Sequence, residues 1–166
     1  MPDDTATTSS EPDTTDPTTS TEPSSERPRE INLEGKDPCG LVPQADWPTF
    51  GIERPGKPSD HPDFKSPQCY YSGVGNVALV VTAGIEIWTE DTYNAEIEDA
   101  APIDGFPTIT VASNIARQTC WAVVDVADGQ FLMTTTSPDP NDPNNPERCD
   151  LAHQLAESAM TTLVAS

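Results

Sequence analysis

A chain of 166 residues is long enough for one domain and too short for two ordinary ones, and its 18 prolines and 34% hydrophobic content leave part of it outside any core. Its 28 acids against 8 bases give a formal charge of −20, so it lacks the basic patch that binding to nucleic-acid phosphates or to an anionic membrane surface requires. No apolar run approaches the ~20 residues of a membrane-spanning helix, and the acidity reads as a solubility device, with adaptation to high salt as the alternative.

Residues 1–30 are dominated by Thr, Ser, Pro, Asp and Glu and contain no aromatic side chain. Such a segment cannot bury enough apolar surface to offset the entropy of ordering it. It reads as a disordered acidic stalk, a spacer between an anchor and a single domain spanning residues 31–166. Asp37-Pro38 opens a short helix, Asp37 as cap and Pro38 at the first helical position. Pro43 and Pro48 keep it short. Leu41, Val42, Trp47 and Phe50 are its core contacts. Residues 51–67, with several prolines and the charges Arg54, Lys57 and Lys65, read as a surface loop, and His61 within it as a solvated histidine.

Residues 68–72 form a short strand and residues 73–76 a turn. The β-branched run 77–88 predicts a longer strand, bent at Gly84. Thr89 followed by Glu90 and Asp91 predicts a helix to about residue 100, weakened by Glu96, Glu98 and Asp99 near its C-terminal end. Residues 102–107 turn the chain into a strand over 108–113. The stretch 120–136 then reads as a hairpin closed by a type I′ turn at Asp128-Gly129. That turn pairs Val126 with Phe131, Val124 with Met133 and Ala122 with Thr135, on one core-facing side. Asp125, Thr134 and Thr136 share the other side with Trp121, Val123 and Leu132, a mixed and partly solvated face.

Asp139, Asn141 and Asp142 offer oxygen ligands in the loop 139–145, but Pro143 and Asn144 stand where a calcium loop needs a further ligand and a glycine, so no metal is expected there. Asn145 and Pro146 start the last helix, whose apolar stripe runs through Leu151, Ala152, Leu155, Ala156, Ala159, Met160 and Leu163. His153 and Glu157 lie four apart on it as a surface pair. The fold class these elements predict is α+β. An antiparallel sheet of four to five strands carries the C-terminal helix and the short N-terminal helix on one face.

Cys39, Cys69, Cys120 and Cys149 lack the C-x-x-C spacing of a zinc or redox motif and suit two disulfides in an oxidising compartment. The hairpin returns Thr136 beside Cys120, and the following loop leads to Cys149 at the same end of the sheet. Cys120–Cys149 with Cys39–Cys69 is therefore the expected pairing, with Cys39–Cys149 and Cys69–Cys120 as the rival. No nucleophile elbow, zinc helix motif, phosphate loop or dinucleotide fingerprint is present. No catalytic, cofactor-binding or metal-ligating residue is assigned, and the four cysteines are the site residues.

D-P-C-G-L from Asp37, Cys-Tyr-Tyr-Ser from Cys69, P-I-D-G-F-P from Pro102, C-W-A-V-V-D-V-A-D-G-Q from Cys120 and E-R-C-D-L-A from Glu147 occur in that order. Together, over residues 35–165, they resemble the actinobacterial lipoproteins classed as domain of unknown function 3558. The resemblance implies a lipidated cysteine just before residue 2, with Met1 in its place here, and a Ser/Thr/Pro linker leading to the domain. It also implies a home at the cell envelope outside the cytoplasmic membrane. The proline-interrupted first helix and the acidity depart from the pattern, and no catalytic residue is carried over. The function expected is a non-catalytic, monomeric envelope domain that binds a protein partner or a small ligand and touches the membrane only through its anchor. A ligand-sensing module of an envelope signalling system is the alternative, and a hydrolase comes third.

Overall fold

The computed structural model describes residues 26–114, 119–136 and 148–166. Its strands are β1 (Lys57–Asp60), β2 (Pro67–Tyr71), β3 (Gly75–Val80), β4 (Ala95–Ile103), β5 (Phe106–Ser113), β6 (Cys120–Ala127) and β7 (Gln130–Thr136). They form one seven-stranded sheet in the order β1-β2-β3-β7-β6-β5-β4, and every neighbouring pair is antiparallel. Among the described residues three α-helices accompany it: the single turns α1 (Trp47–Phe50) and α2 (Glu90–Tyr93), and the long C-terminal α3 (Arg148–Ala165). The architecture is α+β, with two disulfides.

The sheet has seven strands where four to five were expected, because two of them lack a core-facing pattern. All four residues of β1 are exposed, so no alternation marks it. The acids Glu96, Glu98 and Asp99 belong to β4, not to a helix. Asn94 takes the left-handed conformation at φ 44° and ends α2 after Tyr93, and β4 is the outer strand, where exposed charges discourage pairing with another chain. The run at 77–88 stops being a strand at Val80. There Ser66 Oγ takes the Val81 N–H at 3.3 Å and Thr82 Oγ1 donates to the Phe64 carbonyl at 3.0 Å.

The central hairpin differs in turn and register. Only Gly129 has a positive φ, whereas at the β4–β5 hairpin both Asp104 and Gly105 do, so the type I′ turn is at Asp104-Gly105. In β6–β7, Ala127 pairs with Gln130 but Asp125 with Phe131, so Val126 is a bulge. Beyond the bulge, Val124 faces Leu132 and Ala122 faces Thr134. The alternation therefore sends Val126, Val124, Ala122 and Leu132 to one core and Val123, Phe131 and Met133 to the other.

Both faces are buried. On the first lie α3 and the segment 31–52, contributing Ile31, Leu33, Leu41, Val42, Leu155, Met160 and Leu163. Asp37 Oδ1 accepts the Cys39 N–H at 2.9 Å and starts a 3₁₀ turn at Pro38–Gly40, so the first helix is reduced to short turns. Thr134 and Thr136, placed by the sequence on a partly solvated side, instead donate to the helix carbonyls of Ala152 and Arg148 at 2.6 and 3.0 Å. The second face is covered by residues 81–94, which bring Trp88, Ile85 and Tyr93 onto Phe131, Trp121 and Val111. Asn145, Pro146 and the loop 139–145 lie outside the described residues.

Arg27, Ile31 and Leu33 attach the start of the described chain to the sheet. Ile31 N donates to the carbonyl of the bulged Val126 at 2.9 Å, and Gln130 Oε1 accepts from Leu33 N at 2.7 Å. Arg27 reaches Asp125 at 2.7 Å and Asp128 at 2.5 Å. Arg27 and Asp125 side chains are each 5% exposed, whereas that of Asp128 is 74% exposed. Burial pushes the Asp125 carboxyl above its ordinary range although Arg27 opposes the shift.

Arg27→Ala leaves Asp125 buried without a counter-charge and is expected to cost about 3 kcal/mol in urea denaturation, with part of the loss recovered by adding Asp125→Asn. Since the folded Asp125 holds its proton more tightly than the unfolded one, its contribution falls as pH rises from the ordinary carboxylate value (~4) through the raised one. Arg27→Ala should steepen that decline. Equal slopes in the two proteins would show that Arg27 does not stabilise the Asp125 charge.

Candidate functional site

The one large apolar side chain left exposed among the described residues is Tyr70, at 45%. It lies on β2 directly opposite Lys57 of the edge strand β1, so the two share a side of the sheet. A pocket of about 140 Å3 opens beside them, lined by Ile52, Glu53, Arg54, Lys57, Tyr70 and Ser72 among others. Ile52 is buried and Arg54, Lys57 and Ser72 are exposed, so the lining is mainly polar, with Ile52 and the Tyr70 ring as its apolar part. The described ion pairs use Arg27 and His153, so Arg54 and Lys57 have no carboxylate partner among the described residues.

A disulfide fixes the pocket wall. Cys39 and Cys69 are joined with a Cα separation of 4.9 Å, tying the first 3₁₀ turn to β2. Gly56 passes so near that a Cβ there would fall 2.1 Å from Cys69 Sγ and 2.9 Å from the Tyr71 ring. A residue without a side chain is required for the backbone between Arg54 and Lys57 to lie on the bridge. The Tyr71 hydroxyl donates to the Cys39 carbonyl at 3.3 Å and fastens the same corner. Cys120 and Cys149 form the second bridge, Cα atoms 5.2 Å apart, which ties the first turn of α3 to β6.

At the other end of β1, an open depression of about 380 Å3 is bounded by Asp37, Pro58, Asp60 and Gln68. The Gln68 amide nitrogen donates to Ser59 Oγ at 3.1 Å. The histidines are occupied structurally. His61 is half-buried, its Nδ1 accepting the N–H groups of Asp63 at 3.2 Å and Phe64 at 3.4 Å, so it organises its loop instead of hanging free in solvent. His153 is more than a surface pair: its Nδ1 lies 3.6 Å from Glu157 and its Nε2 2.8 Å from the Ala101 carbonyl, joining α3 to β4. Among the described residues no group of three or more His, Cys, Asp or Glu is placed to hold a metal ion, and no helix is long and apolar enough to cross a membrane. The residues 139–145 lie outside that description.

Residues 2–162 match the model of a family described as a protein of unknown function, DUF3558. The chain belongs to that family. Comparisons with curated proteins and with solved structures returned no match. The family description assigns no ligand and no residue roles, so the pocket rests on this chain's own geometry. Sequence reasoning did not single it out, because Arg54 and Lys57 read as ordinary loop charges. The available signal was two of only 8 basic residues within four positions, around a glycine, in a chain with 28 acids.

Gly56→Ala should cost about 1–3 kcal/mol through overpacking against Cys69, read as a lower urea midpoint at unchanged slope. His61 gives a pH signature. Burial is the main cause that holds its pKa below the ordinary value, so the unfolded chain takes up the proton more readily. Its contribution is complete above the ordinary pKa of about 6.5 and is lost as pH falls from there through the lowered value. Melting temperature should drop more steeply between about pH 7 and pH 5 in the wild type than in His61→Gln, and parallel curves would refute this role.

Proposed function

We propose that this is a non-catalytic domain of the cell envelope, held outside the cytoplasmic membrane by a lipid on its N-terminal side, that binds a small ligand in the Ile52–Tyr70 pocket. The two disulfides are consistent with an extracytoplasmic location, and the resemblance to envelope lipoproteins supports the anchor. The observation that carries the binding reading is the pocket itself: an exposed aromatic ring and unpaired polar groups held on a disulfide-fixed wall. Among the described residues neither histidine faces a hydroxyl or thiol: their rings meet backbone groups, Phe64 and Glu157, so neither is set up there as the base of a nucleophile pair.

Native mass spectrometry of the protein recovered from its own envelope tests both halves. A diacylglycerol-modified cysteine on the N-terminal peptide is expected, together with a second, non-covalent mass increment that disappears in Tyr70→Ala. An increment that survives Tyr70→Ala would place binding elsewhere, and an unacylated N-terminus would remove the anchor.

A further inference from the structure

We propose that the Ile52–Tyr70 pocket recognises an oxyanion, carboxylate or phosphate, carried on a flat apolar body that lies against Tyr70; this rests on the binding reading above and names the chemistry of its ligand. Among the described Lys and Arg residues, only Arg27 pairs with a carboxylate. Arg27 takes Asp125 and Asp128, Arg29 donates to the Val164 carbonyl, and Lys36 donates to Ser166 Oγ at 3.1 Å. Arg54, Lys57, Lys65 and Arg148 take none of the described carboxylates, and of these Arg54 and Lys57 line one small pocket together. Glu53 also lines it, yet it forms no ion pair with either cation, leaving two positive groups against one negative.

Geometry then separates head from body. A pocket of about 140 Å3 is under half the ~300–1,000 Å3 that encloses a drug-sized ligand, so it houses a head group and leaves the rest outside. A guanidinium, an ammonium and the Ser72 hydroxyl supply donors suited to a carboxylate or phosphate. The exposed face of Tyr70, directly opposite Lys57, offers the adjoining apolar surface on which a flat body can stack. Gly56 pins the backbone that carries the two cations to the disulfide, so binding orders their side chains but not the backbone beneath them.

The test is an amide NMR titration of the whole chain with phenyl phosphate, inorganic phosphate and the neutral benzyl alcohol. Phenyl phosphate should shift the amides of residues 52–57 and 70–72, and bind about tenfold or more tightly than benzyl alcohol. Arg54→Gln with Lys57→Gln should weaken it by about tenfold or more, with the melting temperature monitored to confirm folding. The wild-type comparison of charged and neutral probes stands whether or not the variant folds. Inorganic phosphate should shift the same amides more weakly than phenyl phosphate, for want of the stacking body. Vesicles of phosphatidylglycerol against phosphatidylcholine distinguish the source of the head group. Selective co-sedimentation with phosphatidylglycerol, lost in the double variant, assigns a lipid head group, and its absence alongside phenyl phosphate binding assigns a soluble anion. Equal affinity for benzyl alcohol, or full affinity in the folded double variant, overturns the oxyanion inference while leaving a pocket ligand in place. Loss of the Tyr70-dependent mass increment from the native protein is the separate result that removes the ligand itself.

Discussion

The path from β3 to β4 is the constraint on which the rest of this fold depends. β3 lies inside the sheet and β4 at its far edge, with β7, β6 and β5 between them. The chain must therefore cross three strands, and α3 already occupies one face. Residues 81–94 cross on the other, which turns that face into a second core. The crossing brings Trp88 within 6.1 Å of Trp121 and 6.0 Å of Phe131, ring centre to ring centre, while Phe64 closes edge-on over Phe131 at 5.6 Å. Aromatic packing of this kind adds about 0.5–1.5 kcal/mol per pair beyond the area it buries. It also takes Asp125 out of water, which is why the N-terminal segment must deliver Arg27 to it.

The same crossing explains where the surface stays open. It leaves the sheet centre towards β4 and so gives no cover to β1 and β2, neither of which contributes to the second core. Tyr70 is on that bare side, next to the strand that carries Lys57. Tyr70, the one large apolar side chain exposed among the described residues, thus shares with Arg54 and Lys57 a corner that topology leaves uncovered beside the Cys39–Cys69 bridge. The outer strands are ill suited to recruiting another chain: β4 carries three acids, and β1 is four residues long with Pro58 inside it.

Local chemistry was the legible part of the sequence. Asp37 before Pro38, a turn between β2 and β3 (at residues 72–74, slightly earlier than the 73–76 its composition suggests) and the apolar stripe of α3 each declare themselves within a few residues. The meeting of Cys120 and Cys149 follows from the return of one hairpin. What the sequence concealed is non-local. An apolar run suits a strand as readily as a segment laid over a sheet, so residues 77–88 read as one element although they do both. The bulge at Val126 moves only one residue, yet it exchanges the faces of Phe131, Leu132, Met133 and Thr134. The acids of β4 look helical until the sheet edge is known. The candidate site was hidden for the same reason, since Lys57 and Tyr70 are brought together by strand pairing between β1 and β2.

Gly56 carries one more consequence, for the chemistry of the bridge it touches. Reduction of a disulfide proceeds by attack of a thiolate along the sulfur–sulfur axis, with the second sulfur expelled. Cys69 is fully buried, and the Gly56 backbone and the Tyr71 ring crowd its sulfur. Attack is therefore directed to the half-exposed Cys39, and the leaving group is Cys69. A thiolate released into an apolar enclosure is poorly stabilised, its pKa rises and it departs slowly. The bridge therefore resists thiol exchange kinetically as well as by its place in the fold, so the wall beside Tyr70 persists in surroundings that would open an exposed cystine.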